Sequence, residues 1–131
     1  MAETYKNTAT ISKMEIVTTD IYSMWIQDEY IAKNAKPGQF VSLYCNEGSR
    51  LLPRPISICE VDKVKKALRI VYRIAGAGTG EFSTYQAGDE VAILGTLGNG
   101  FPIEEATGKK VFLIGGGIGV PPILEMAKQM D

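Results

Sequence analysis

The sequence predicts a mainly β domain, a closed barrel or a sandwich, followed by the first strand and helix of an incomplete α/β unit. Three observations carry that reading. Short apolar runs separated by turn signals fill roughly the first hundred residues, a spacing typical of antiparallel barrels and sandwiches. One of these runs, Ala67 to Ala75, sets Leu68, Ile70, Tyr72 and Ile74 against Arg69, Val71 and Arg73, the period of two of a half-buried strand. Near Lys109 the pattern changes: a short apolar strand, Lys110 to Ile114, leads into Gly115-Gly116-Gly117-Ile118-Gly119, and Pro121-Pro122 opens an amphipathic helical stretch to Asp131.

In chain order, Thr8 to Val17 and Ile21 to Gln27 read as two strands parted by Thr18-Thr19-Asp20. The second alternates Tyr22, Met24 and Ile26 with Ser23, Trp25 and Gln27. Pro37-Gly38 is a turn pair that opens a third run, Gln39 to Cys45, with Phe40 and Tyr44 on one face and Val41 and Leu43 on the other. Asn46-Glu47-Gly48-Ser49 breaks it. The charged stretch Val61 to Lys66 reads as a solvated hairpin loop before the alternating strand. Gly76-Ala77-Gly78-Thr79-Gly80 then precedes a short helix expected over Glu81 to Gln86, and Ala87-Gly88-Asp89-Glu90 turns the chain into a strand from Val91 to Leu94. A single strand and helix cannot make a parallel sheet. Residues 1–103 are therefore expected to form the barrel, and 109–131 the incomplete start of a dinucleotide-binding α/β domain.

Composition removes several classes of function. The 131 residues are 45% hydrophobic and 22% charged, ordinary for a globular domain that buries its own core. Fourteen basic residues face fifteen acidic ones, a formal net charge of −1, so there is no electrostatic footprint for nucleic acid. No apolar stretch is long enough to span a bilayer, and Met1 to Lys6 lacks a signal-peptide pattern, so a cytoplasmic location is expected. Cys45 and Cys59 lack metal-ligand spacing and read as small hydrophobes buried in strands. Histidine is absent, which removes the commonest general base and metal ligand. Chemistry must then come from a cofactor or from other side chains, and no catalytic or metal-ligating residue is nominated.

Three short constellations could serve a cofactor. In Arg54-Pro55-Ile56-Ser57 the guanidinium offers a planar fork of donors suited to a pyrophosphate, and Ser57 can donate to a heterocycle. Pro53 and Pro55 hold the backbone extended and remove two amide donors, which equally describes an edge strand with a surface arginine. Tyr72-Arg73, followed by Gly76, Gly78 and Thr79, could bring backbone amides close to an anion, or form an ordinary loop. Leu94-Gly95-Thr96-Leu97-Gly98-Asn99-Gly100-Phe101 contains glycines suited to positive φ; it could place Phe101 beside a cofactor or make a plain tight turn.

Taken together, in this order and spacing, the strings Leu52-Pro53-Arg54-Pro55-Ile56-Ser57-Ile58, Val71-Tyr72-Arg73, Gly78-Thr79-Gly80, Leu97-Gly98-Asn99-Gly100-Phe101 and Ile114 to Pro122 resemble the ferredoxin-reductase-like flavoproteins. Within them the resemblance is strongest to the electron transfer subunits of the NAD-dependent, two-flavin type of dihydroorotate dehydrogenase. It implies FAD on a six-stranded antiparallel Greek-key barrel. It implies further that Arg54, beside Pro55, contacts the phosphate region and that Ile56 and Ser57 line the isoalloxazine. Val71, Tyr72 and Arg73 would support the ring and the ribityl-phosphate portion, and Gly78 and Thr79 would donate to the pyrophosphate. In that family electrons pass from NADH to FAD, through an iron–sulfur cluster, to FMN on a partner catalytic subunit that oxidises dihydroorotate in pyrimidine biosynthesis.

The family's cluster cysteines lie downstream of the region matched here, and Cys45 and Cys59 match none of them. The chain as given is therefore expected to hold FAD without an iron–sulfur cluster. Gly115 to Gly119 also departs from the Gly-x-Gly-x-x-Gly spacing, so NAD binding by these residues alone is not expected. Two alternatives stand beside this reading: a subunit of another multimeric reductase of the superfamily, of the sulfite or ferredoxin–NADP type, and a flavin-free β-barrel binding module.

Overall fold

A computed structural model describes residues 5–44, 53–74, 77–101, 104, 108, 123–124 and 127–128. Its strands are β1 (Tyr5–Thr18), β2 (Ile21–Gln27), β3 (Phe40–Tyr44), β4 (Arg54–Asp62), β5 (Ala67–Arg73) and β6 (Glu90–Leu97). They close into a barrel in the spatial order β1-β2-β5-β4-β3-β6, with every neighbouring pair antiparallel. Hairpin-connected β3, β4 and β5 return β5 beside β2, which is the Greek-key connection. Of the two architectures the strand spacing allows, the chain adopts the barrel rather than the sandwich.

The alternation read in the sequence decides what fills the interior. Ile11, Met24, Ile26, Val41, Leu43, Ile58, Leu68, Ile70, Val91 and Ile93 are completely buried. Each such side chain contributes roughly 1.5–3 kcal/mol on leaving water. In β5, Leu68, Ile70 and Tyr72 face inward while Arg73 is exposed. Cys59 is a buried thiol, as its strand position suggested; Cys45 lies outside the described residues.

Several boundaries differ from the sequence reading. β4 continues through Val61 and Asp62, so the hairpin turn is only Lys63 to Lys66. There the Asp62 carboxylate accepts the amides of Val64 and Lys65 at 3.1 and 3.0 Å, and Lys66 takes φ 56°. β6 runs on to Leu97 through Gly95, which reads locally as a breaker. A Cβ at Gly95 would stand 2.9 Å from Val41 Cγ1 and 3.3 Å from Ile31 Cδ1, so the glycine serves close packing under a helix rather than ending the strand.

That helix, α1 (Glu29–Asn34), bridges β2 and β3 and has no counterpart in the sequence reading. Asp28 caps it, its carboxylate accepting the Ile31 amide at 3.0 Å, and Ile31, Ala32 and Ala35 are buried. The second helix, α2 (Ala77–Phe82), starts within the glycine-containing segment instead of at Glu81. Its stop has a local cause: the Ser83 hydroxyl donates to Gly80 O at 2.6 Å and the Thr84 hydroxyl to Glu81 O at 2.7 Å, competing with further helical bonding.

Asn46 to Ser49, Leu52, Gly76, the expected strand Lys110 to Ile114 and Gly115 to Gly119 lie outside the described residues. Residues 123–124 and 127–128 are helical, within the amphipathic stretch. Among the described residues no helix is long and apolar enough to cross a membrane, and no cluster of three or more His, Cys, Asp or Glu could hold a metal ion.

Candidate functional site

Arg54-Pro55-Ile56-Ser57 begins β4, which is no edge strand: it lies between β3 and β5. Its two halves are nevertheless paired differently. From Leu43↔Arg54 to Phe40↔Ser57 the strand follows β3. The ladder to β5 runs from Ile58↔Ile70 to Asp62↔Ala67, with a bulge at Cys59. Beyond Ile70, the residues Val71, Tyr72 and Arg73 pair on their other side with Ser23, Tyr22 and Ile21 of β2. The first half of β4 and the last three residues of β5 are thus the two sides of a seam at which the barrel's hydrogen-bond ladder is interrupted.

The prolines explain why this seam is tolerated. The Ile58 amide donates to Gln39 O at 3.1 Å. Antiparallel alternation then puts Ile56 and Arg54 on the hydrogen-bonded rungs with β3 and turns the backbones of Ser57 and Pro55 toward the seam. Pro55 has no amide to leave unsatisfied there, so proline fits inside a strand at this rung. Ser57 keeps its amide on that side. Pro55 is exposed, Arg54 and Ser57 are half-buried, and Ile56 is buried.

On the β5 side, Val71 is half-buried, Arg73 is exposed and Tyr72 is only 3% exposed. Tyr72 stacks on Tyr22, its cross-strand partner, with ring centroids 6.1 Å apart and planes at 15°. Phe82 of α2 meets the edge of Tyr72 at 6.3 Å, and Tyr85 meets Phe82 at 5.9 Å. The Tyr72 hydroxyl is buried and has no hydrogen-bond partner among the described residues. Burial, and then the neighbouring Tyr22 and Tyr85, push its pKa well above the ordinary tyrosine value, so it stays a protonated donor. The Arg73 guanidinium lies 3.6 Å from Asp20 in a pair roughly half exposed on both sides.

Gly78 and Thr79 fall within α2, and Thr79 is buried. Thr79 is three residues before Phe82 on one helix face, so the aromatic packing on Tyr72 ties this helix to β5. The nine sequence-selected residues therefore divide into one group on each side of the seam and a third on the adjoining helix. Sequence reasoning missed the aromatic support from Tyr22, Phe82 and Tyr85; only the alternation at Tyr22 pointed to it.

Phe101 packs on the loop that leads into β3. Gly98 and Gly100 take φ 85° and 77°, the Phe101 amide donates to Pro37 O at 2.7 Å, and its ring covers Gly38. The chain bends at Gly98, and Gly98 and Gly100 pack closely on residues 36–40. Cavities of about 330, 260 and 170 Å³ bounded by described residues are lined by other side chains, although the second includes Tyr22 and Tyr85.

The seam suits a flat heterocycle with acceptor atoms and an anionic tail. Its flanks carry the Ser57 backbone turned toward the seam and the arginines Arg54 and Arg73, while Tyr72, on the inward face of β5, holds a buried hydroxyl with no partner among the described residues. Backbone amides, a hydroxyl and charged forks are the usual orienting groups of such a site.

No family profile matches the chain. Over 123 residues it is 42% identical to the electron transfer subunit of dihydroorotate dehydrogenase B (NAD+) of Enterococcus faecalis, covering 93% of this chain and 47% of that protein. The Bacillus cereus protein of the same name is 42% identical over 127 residues, 95% of this chain and 49% of its own length. The chain thus spans about half the length of the curated relatives it matches. Among solved structures, an NADH-dependent reduced ferredoxin-NADP oxidoreductase described for flavin-based electron bifurcation superposes with TM-score 0.80 and 26% identity, over 93% of this chain and 43% of that one. A ferredoxin NADP+ reductase from Neisseria gonorrhoeae with bound FAD and NADP shares the fold at TM-score 0.69 and 21% identity, over 95% of this chain and 51% of that one.

Proposed function

We propose that this chain, a ferredoxin-reductase-like barrel homologous to the dihydroorotate dehydrogenase B electron transfer subunits, is the FAD-binding unit of such a subunit. The observation that carries the proposal is the β4–β5 seam, with the buried Tyr72 hydroxyl, which has no partner among the described residues, on the flanking strand β5. Residues 1–103 are the flavin domain in this reading, and 109–131 begin a nucleotide-binding domain.

Bound FAD supplies the hydride and electron chemistry. The chain's own residues hold and orient it. Arg54, and Arg73 once released from its weak exposed pair with Asp20, neutralise the phosphates. Pro55 keeps the β4 backbone extended, and Ile56 and Ser57 line one side of the ring. Val71 and Tyr72 line the other, with the Tyr72 hydroxyl donating to a ring or ribityl oxygen. Gly78 and Thr79 bring the start of α2 to the pyrophosphate. Ser57, through its hydroxyl or amide, tunes the ring's potential by hydrogen bonding.

In the whole protein, NADH is the donor and the FMN-containing dihydroorotate dehydrogenase catalytic subunit the acceptor, reached through an iron–sulfur cluster, in the cytoplasm. The likeness at 26% identity to a ferredoxin-NADP oxidoreductase favours a second reading, the flavin unit of another multimeric reductase. Titrating purified chain with FAD tests the shared premise. Stoichiometric binding with a perturbed flavin spectrum is the expected result; a chain that stays colourless and ignores FAD is the flavin-free barrel module instead.

A further inference from the structure

A chain of polar contacts runs from β2 and β5 through Glu60 of β4 to the C-terminal helical stretch. Arg69 of β5 donates from Nε to the Ser23 hydroxyl at 2.7 Å, and its other end reaches Glu60 Oε1 at 3.4 Å. The second carboxylate oxygen of Glu60 takes Lys128 Nζ at 3.0 Å, and the same ammonium lies 3.5 Å from Val61 O. Ser23 is completely buried, and the side chains of Arg69 and Glu60 are each 25% exposed.

This arrangement differs from an isolated surface pair. Ser23 and Arg69 hold the Glu60 carboxylate before Lys128 arrives, so only the lysine loses side-chain freedom on docking. Its location also matters. Glu60 is the first residue beyond the Cys59 bulge, next to the rung at which β4 and β5 separate. Lys128 lies in the helical stretch after the glycine run Gly115 to Gly119. The ion pair therefore ties the helical residues 127–128 to β4 where its ladder to β5 begins. Contacts between units of one chain are mobile by default unless something fixes them.

We propose that Lys128 and Glu60 form a latch that sets the position of the nucleotide-binding unit relative to the barrel, making both positioning residues for transfer between nicotinamide and flavin. This inference rests on the flavin reading above. Neither residue touches the seam itself, so FAD affinity should not depend on the latch.

The test is stopped-flow reduction of the FAD-loaded full-length protein by saturating NADH, comparing wild type with Lys128→Ala, Lys128→Glu, Lys128→Arg and Glu60→Gln. The limiting rate should fall about twofold to fivefold in Lys128→Ala, the reach of one partly exposed pair, and further in Lys128→Glu. It should fall in Glu60→Gln and return in Lys128→Arg, with the flavin spectrum and FAD affinity unchanged throughout. Raising ionic strength should slow wild type toward the rate of Lys128→Ala. Wild-type limiting rates in both Lys128→Ala and Lys128→Glu, with FAD bound normally, would overturn the latch alone. A wild-type protein that takes up no FAD overturns the flavin reading, and the latch with it.

Discussion

Tyr72 faces Tyr22 directly across the β2–β5 ladder, the two rings stacked at 6.1 Å, while the Tyr72 hydroxyl is sealed from water with no partner among the described residues. The apolar part of this side chain is well placed and its polar atom is not. Such a group costs about 1–3 kcal/mol of desolvation unless a bound molecule accepts its proton.

Tyr72→Phe should therefore act in opposite directions on stability and on binding. Without flavin, the variant should be as stable as wild type or about 1 kcal/mol more so, because an unsatisfied polar atom is gone. FAD affinity should fall by about 0.5–1.5 kcal/mol, the value of one ordinary hydrogen bond. Urea denaturation of the apoprotein and flavin titration of both forms measure the two effects. A variant that loses stability and binds FAD as wild type does would remove the donor role.

The same hydroxyl gives a pH dependence. Its folded-state pKa is raised above the ordinary 10.0 by burial, then by Tyr22 and Tyr85. A raised value means that the folded state binds the proton more tightly than the unfolded state. The contribution is complete below the unfolded value near 10 and is lost as pH rises beyond it. Tyr72 should stay protonated in the native alkaline titration and ionise only as the chain unfolds. In Tyr72→Phe the stability loss above pH 10 should be shallower.

Gly95 and Gly80 make a contrasting pair. A methyl group at Gly95 meets Val41 at 2.9 Å and Ile31 at 3.3 Å inside the packed barrel. Gly95→Ala should destabilise by about 1–3 kcal/mol, the usual range for overpacking. At Gly80, within α2, a Cβ would meet nothing within 4 Å. Gly80→Ala should stabilise by about 0.5–1 kcal/mol through reduced backbone entropy of the unfolded chain. Thermal and urea melts of the two variants should move in opposite directions.

Arg54→Ala should weaken FAD binding by about 1.5–3 kcal/mol, the range for a hydrogen bond to a charged group. Because Arg54 is half-buried at the strand's end, the fold should survive the change. Calorimetric titration that returns the wild-type affinity would remove Arg54 from the phosphate region.

The barrel was legible wherever one strand face is buried. In β5 the residues Leu68, Ile70 and Tyr72 alternate in sequence and in burial alike, because a side chain's face is set by a period of two. The helices were not legible for a matching reason. α1 has six residues, too few to show a helical period, and it is held by the Asp28 cap and by Ile31 under Gly95. α2 begins among residues whose local preference is a loop, and the anchoring of Phe82 on Tyr72 overrides that preference. Arg54 to Ser57 is the instructive case. Its prolines marked a missing ladder, but the missing partner belongs to one side of half a strand inside a closed barrel, a distinction that depends on where β5 departs.

In the proposed function FAD lies in the seam between the first half of β4 and the end of β5. Hydrogen exchange followed by mass spectrometry, with and without FAD, reads both sides of that seam. FAD should slow exchange across 54–57 and 71–73 and leave the Lys63 to Lys66 hairpin unchanged. Bound FAD that leaves both seam segments as they were, or that protects the hairpin end of the barrel instead, would contradict it.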